Sequence, residues 1–140
     1  MMRKLDQRGV AALEFCIVAV PLFFLMFAIF DLGRYAITMQ SLRMLANAEA
    51  RANMINCYTP AVVAKTSPSS CTGDYLSAAQ KQAAAPFLYG ADLTPNYGLT
   101  LNITATGVLT VTASQPGFTM LMPIWGTAFN APSASTSIPF

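Results

Sequence analysis

There is no histidine anywhere in the 140 residues. That removes Ser-His and Cys-His nucleophile pairs, imidazole metal ligands and the commonest general base. No Cys-x-x-Cys and no glycine-rich phosphate loop occurs, and the six acidic residues are scattered. Charge of either sign is scarce: Lys, Arg, Asp and Glu make up 10% of the chain, and none lies beyond Asp92. The net charge of +2 resides in Arg3, Lys4, Asp6 and Arg8, because five basic and five acidic residues balance over the remainder. No basic patch is left for nucleic acid. These absences argue against an enzyme: no catalytic residue, metal, cofactor or small-molecule substrate is expected.

What the chain has in abundance is apolar surface, 54% by residue count. Residues 10–30 are unbroken by charge except at Glu14. As a helix they extend roughly 31 Å, the thickness of a bilayer's hydrocarbon core. A transmembrane helix is therefore expected over 10–30, with membrane lipid as a partner. The basic residues before it keep the N-terminus cytoplasmic and send the remainder to the periplasmic side. A cleaved secretory signal requires a small-x-small site after the apolar run, and Asp31-Leu32-Gly33-Arg34-Tyr35 offers none. An uncleaved anchor leaves Glu14 inside hydrocarbon without a partner, at a cost of about 2.5–3.5 kcal/mol at mid-span and less near the interface.

Beyond the span, Asp31, Gly33 and Arg34 mark the interface, with Tyr35 as an aromatic anchor; Asp31 and Arg34 are expected to form an ordinary solvated pair. Tyr35, Met39, Leu42, Ala46 and Ala50 then recur at helical spacing, opposite Gln40, Arg43, Asn47 and Arg51, with Glu49 at the stripe's edge. One helix from about Val10 to about Ile55 is expected, roughly 65–70 Å long. Pro21 either bends or loosens it during assembly or is a tolerated membrane proline.

Of the three cysteines, Cys16 lies in the span, where it acts as a small apolar residue. Cys57 and Cys71 fall on the exported side, where oxidation is permitted, and form the natural disulfide pair; two free thiols are the alternative. Thr72-Gly73-Asp74 offers an N-cap for a short helix over 75–85, which Pro86 ends. From Leu99 the period becomes two: Leu101, Ile103 and Ala105 alternate with threonine and asparagine, Gly107 turns the chain, and Leu109, Val111 and Ala113 alternate again. A third strand over 134–138 would be confined to an edge by Pro139. The sequon Asn102-Ile103-Thr104 falls mid-strand and is taken as coincidence. Trp125, among Met120, Leu121, Met122 and Ile124, is a core plug or a membrane-surface contact. The expected fold class is α+β: leader 1–9, transmembrane helix 10–30, periplasmic helical extension 31–56, and a small disulfide-stapled domain over 57–140 with a short helix and a β-hairpin or three-stranded antiparallel sheet.

A basic leader, then Arg8-Gly9-Val10-Ala11-Ala12-Leu13-Glu14-Phe15, then an apolar helix, resembles the processing site of type IV prepilins and pseudopilins. With Pro21 and Asp31-Leu32-Gly33-Arg34-Tyr35 closing the span, the N-terminal third resembles the TadE-like family of the tight-adherence (Tad) pilus system. The resemblance implies a processing site of Gly9, Val10, Glu14 and Phe15, cut by a prepilin peptidase between Gly9 and Val10, so that Glu14 becomes the fifth residue of the mature chain and Phe15 the aromatic that follows it. It implies that Glu14 pairs with the new terminal amine of a neighbouring pilin or pseudopilin. It further implies that Glu14, Pro21 and Tyr35 serve helix packing during assembly, with other subunits and the Tad assembly platform as partners. The implied function is a minor pilin-like subunit that takes part in assembling or priming an adhesive pilus from the bacterial inner membrane, with the pilus or cell surface as the further location that the resemblance allows. The metal-binding Asp-x-Ser-x-Ser of longer relatives is absent from the sequence. The alternative is a single-pass, membrane-anchored periplasmic interaction module that is neither processed nor incorporated in a filament.

Overall fold

The computed structural model describes residues 7–139. The charged positions Arg3, Lys4 and Asp6 of the expected leader lie outside the described residues. Helix α1 runs over Gln7–Asn53, passing through Pro21 without interruption. Pro21 has no N–H to return to the carbonyl of Ile17, so one helical bond is missing within the apolar segment. At 1.5 Å per residue α1 is about 70 Å long.

The helical path does not end at Ile55. A π turn over Met54–Tyr58 leads directly into α2, Thr59–Val63, with Pro60 in its first turn. The wide turn explains how a proline fits here. Both the backbone N–H and the hydroxyl of Thr59 donate to the Met54 carbonyl five residues back, the hydroxyl at 2.8 Å, and Pro60 then occupies a first turn where no N–H is needed.

The disulfide Cys57–Cys71 is formed, with the Cα atoms 5.6 Å apart. It closes a loop of sequence separation 14, for which the chain-entropy estimate is about 3 kcal/mol. The short helix α3 spans Ala78–Ala84, three residues later than the sequence suggested. Ser77 caps it rather than residues 72–74. Its hydroxyl accepts the Gln80 N–H while the Gln80 side chain accepts the Ser77 N–H at 2.9 Å, a reciprocal box that residues 72–74 cannot supply. Ala85 leaves helical geometry directly before Pro86.

Strands β1 (Thr100–Ala105), β2 (Val108–Ser114) and β3 (Ser133–Pro139) form an antiparallel meander in that order. Ala105 pairs with Leu109 across a turn in which Gly107 adopts φ +82°, a conformation that favours glycine. Pro139 lies on β3, an edge strand, where a missing N–H is tolerated. On the central strand Leu109, Val111 and Ala113 are buried, while Thr110 and Thr112 are only half-buried. They share one core with Leu42, Leu45, Ala46 and Ala50 of α1, joined by Ala85, Leu88 and Ala134. The sheet therefore packs onto the second half of α1, and Thr136 of β3 donates to Asn47 of the helix at 2.6 Å. The chain is α+β: a long helix, apolar and bare at its start, that carries a small disulfide-linked domain on its far half.

Candidate functional site

The apolar first half of α1 is the part of the fold that nothing in the chain covers. No residue of its most apolar window is buried. Phe15 is 70% exposed and Phe30 68%, which a core helix of a soluble protein would not tolerate. Length, composition and exposure together describe a single-pass membrane anchor.

Gly9, Val10, Glu14 and Phe15 all lie in the first turns of this helix. Gly9 is helical, and a Cβ placed on it would meet nothing within 4 Å. Neither conformation nor crowding requires glycine there, and glycine costs about 1 kcal/mol against alanine inside a helix. Glu14 is exposed, and among the described residues no hydrogen bond or ion pair reaches it. Val10 and Glu14 are four apart and share a helix face. Pro21 sits about two turns beyond Glu14, and Tyr35 roughly 31 Å away along the axis, so these residues form no single site. Tyr35 packs inside the protein: its ring meets Phe129 edge-on at 5.1 Å and Phe118 at 6.4 Å.

A second constellation lies where the span ends, and the sequence did not announce it. Asp31 is 2% exposed rather than solvated. Its carboxylate accepts the backbone N–H of Leu121 at 3.0 Å and that of Met122 at 3.1 Å, ninety residues further along the chain. Arg34 lies 3.5 Å from Asp31, donates to the Thr119 carbonyl and stacks over Phe118 at 4.7 Å. A carboxylate facing two successive backbone donors forms a strong, directional clamp. The neighbouring Gly117 is required by close approach, since its Cβ would stand 2.8 Å from the Tyr97 carbonyl oxygen.

Glu49 and Asn53 repeat the device further along α1. Glu49 is fully buried in the helix's covered face, not at its edge; its Oε1 accepts the Tyr75 N–H at 2.8 Å. Burial pushes the Glu49 carboxyl above its ordinary value, against the opposing pull of the Tyr75 hydrogen bond; nearby Asp74 raises it further and Lys81 lowers it. The Asn53 amide donates to the Cys71 carbonyl at 2.9 Å, beside the disulfide. Three polar residues on one face of α1 thus hold two loops of the domain, Asp31 the loop at 121–122 and Glu49 with Asn53 the loop at 71–75. Their signal in sequence is weak: each is an isolated polar residue interrupting an apolar stripe, with a partner that is backbone.

Among the described residues no group of His, Cys, Asp and Glu side chains could hold a metal ion. No curated protein and no solved structure matches the chain. A family model does match residues 9–51, beginning at Gly9, running through the span and ending on the covered part of α1, before the disulfide. Over that stretch, which holds Gly9, Glu14 and Asp31 of the clamp, the chain is similar to the TadE-like proteins.

Proposed function

We propose that this protein is a minor pilin-like subunit, a pseudopilin, that takes part in assembling or priming a Tad-type adhesive pilus. The observation that carries this reading is the pairing of two residues the fold does not need: a helical glycine with open space around it and a lone carboxylate on a bare apolar helix. A prepilin peptidase that cuts between Gly9 and Val10 gives the glycine its purpose. The new amine at Val10 lies one turn from Glu14 on its own helix, and a neighbouring subunit brings an equivalent amine to that carboxylate. Either cation offsets the cost of a charge in lipid, and only the neighbour's fixes the axial register of one helix against the next.

In this reading the segment before Gly9 is cytoplasmic and the disulfide-bearing domain faces the periplasm of a bacterial inner membrane. Other pilin-like subunits and the Tad assembly platform are its partners. The test is the N-terminal residue of the protein recovered from bacterial membranes. Cells with an active prepilin peptidase should yield a chain that starts at Val10. A chain that still starts at Met1 or Met2 would overturn the pseudopilin reading and leave a plain membrane anchor.

A further inference from the structure

The clamp at Asp31 fixes loop 119–125 beside the last turn of the apolar segment, with Leu121, Pro123 and Ile124 exposed and Met120, Met122 and Trp125 half-buried. Leu121 is 76% exposed and Ile124 49% exposed; other apolar side chains of the domain, such as Val63 and Phe87, are exposed too, but these two stand directly beside the end of the span. We infer that this loop is a second membrane contact, which dips into the interfacial layer of the leaflet where the span emerges. It receives lipid acyl chain in the cavity it forms with α1. The inference rests on residues 10–30 being a span.

Helix side chains tilt toward the N-terminal end, so Asp31 reaches back toward Phe30 rather than outward into solvent. The loop it holds therefore lies alongside the span's last turn and not above it. The cavity of about 360 Å³ between them agrees with that level, since its apolar walls are Phe27 and Phe30 on one side and Leu121, Met122 and Pro123 on the other. Asp31 and Arg34 complete the lining, so the apolar surfaces of span and loop meet beside this ion pair.

The loop is also fit to leave water. No charged residue follows Asp92, so nothing in 119–125 carries an ionic desolvation cost. The N–H groups of Leu121 and Met122 are already bonded to Asp31, which removes two backbone donors that lipid cannot satisfy. Trp125 follows directly and stacks edge-on against Phe129 at 5.8 Å, a suitable residue for the boundary between acyl chains and headgroups.

Trp125 is the only tryptophan of the chain, so its fluorescence reads the loop without labelling. The full chain is reconstituted in phosphatidylcholine–phosphatidylglycerol vesicles whose acyl chains carry bromine, and in unbrominated vesicles exposed to aqueous iodide. The expected result is loss of most Trp125 emission to brominated lipid and little loss to iodide, at every protein-to-lipid ratio. Quenching by iodide but not by brominated lipid overturns the inference. Resistance to both quenchers also overturns it, because a neighbouring subunit would then cover the face. In a Leu121→Asp, Ile124→Asp variant, sensitivity should pass from lipid to iodide while the protein still resists alkaline carbonate extraction. Wild-type protein that carbonate extracts would refute the span itself, a failure distinguishable from the loop's.

Discussion

The two halves of α1 share one continuous helix and differ in every physical respect that matters. From Gly9 to Phe30 the surface is apolar on all sides and no other part of the protein touches most of it. From Asp31 onward only one face is apolar, and Leu42, Leu45, Ala46 and Ala50 press into the sheet. The contrast is sharpest in the acidic residues. Asp31 and Glu49 are buried and bonded to backbone N–H groups of distant loops, whereas Glu14 is exposed with no partner among the described residues. A carboxylate on an apolar surface must be satisfied somewhere. In the outer half Asp31 and Glu49 each accept a backbone N–H from within the chain, whereas Glu14 in the inner half accepts none among the described residues.

The strongest way to break this comparison is to remove Glu14. Glu14→Leu should leave membrane insertion and the N-terminus at Val10 unchanged, since it lowers the cost of the helix in lipid. Surface piliation and adherence of cells carrying it should nevertheless collapse. Normal piliation by a stable, correctly cleaved variant would show that Glu14 has no assembly role and place the two halves on equal footing.

Leu45→Ala attacks the other half alone. The side chain is fully buried at the helix–sheet contact, so the loss should be about 2–5 kcal/mol of domain stability. Denaturant titration of the detergent-solubilised chain should record that loss, while carbonate-resistant membrane association stays as in wild type.

Asp31→Asn tests the clamp at the junction. Asparagine keeps one oxygen but turns an amide donor toward backbone donors, for a cost of about 1–3 kcal/mol. Amide hydrogen exchange at Leu121 and Met122 should accelerate, with little change across the β1–β2 pairing.

Glu49→Gln should have the smallest effect and the most informative sign. Because burial holds the folded Glu49 carboxyl above its ordinary 4.5, the stability it confers is fully present below that value and is lost as pH rises through the raised one. Glutamine keeps the oxygen that accepts the Tyr75 N–H and carries no charge. The variant should therefore match wild type in acid and exceed it at neutral pH. Thermal unfolding across that range would settle it, and a variant less stable at neutral pH would mean the ionised form is the one the site favours.

Which features were legible in sequence follows the range of the interactions that make them. The span, the stripe of Leu42, Ala46 and Ala50, the alternation of β1 and β2 and the edge position of β3 are periodic patterns, and each can be read within a short window. The Cys57–Cys71 pair needed only compartment and composition. Residues that bond to distant backbone left no such trace. Asp31 looked like a solvated partner of Arg34 because a backbone N–H ninety residues away has no residue type to signal it. Glu49 looked like a stripe edge for the same reason. The start of α3 was misplaced because a plausible cap at residues 72–74 competes with the Ser77–Gln80 box, and the Tyr75 N–H is already taken by Glu49. The end of the helical path was placed too early because one widened turn makes room for Pro60.

The clamp between Asp31 and residues 121–122 also sets a timetable. When a chain leaves the membrane N-terminal part first, Asp31 arrives about ninety positions before its partners, and it waits hydrated until they have crossed. Contacts of such long sequence separation form late. The disulfide, at a separation of 14, can close while translocation is still under way. A segment that emerges long after the helix thus seals the base of the domain against it, when the crosslink can already be in place.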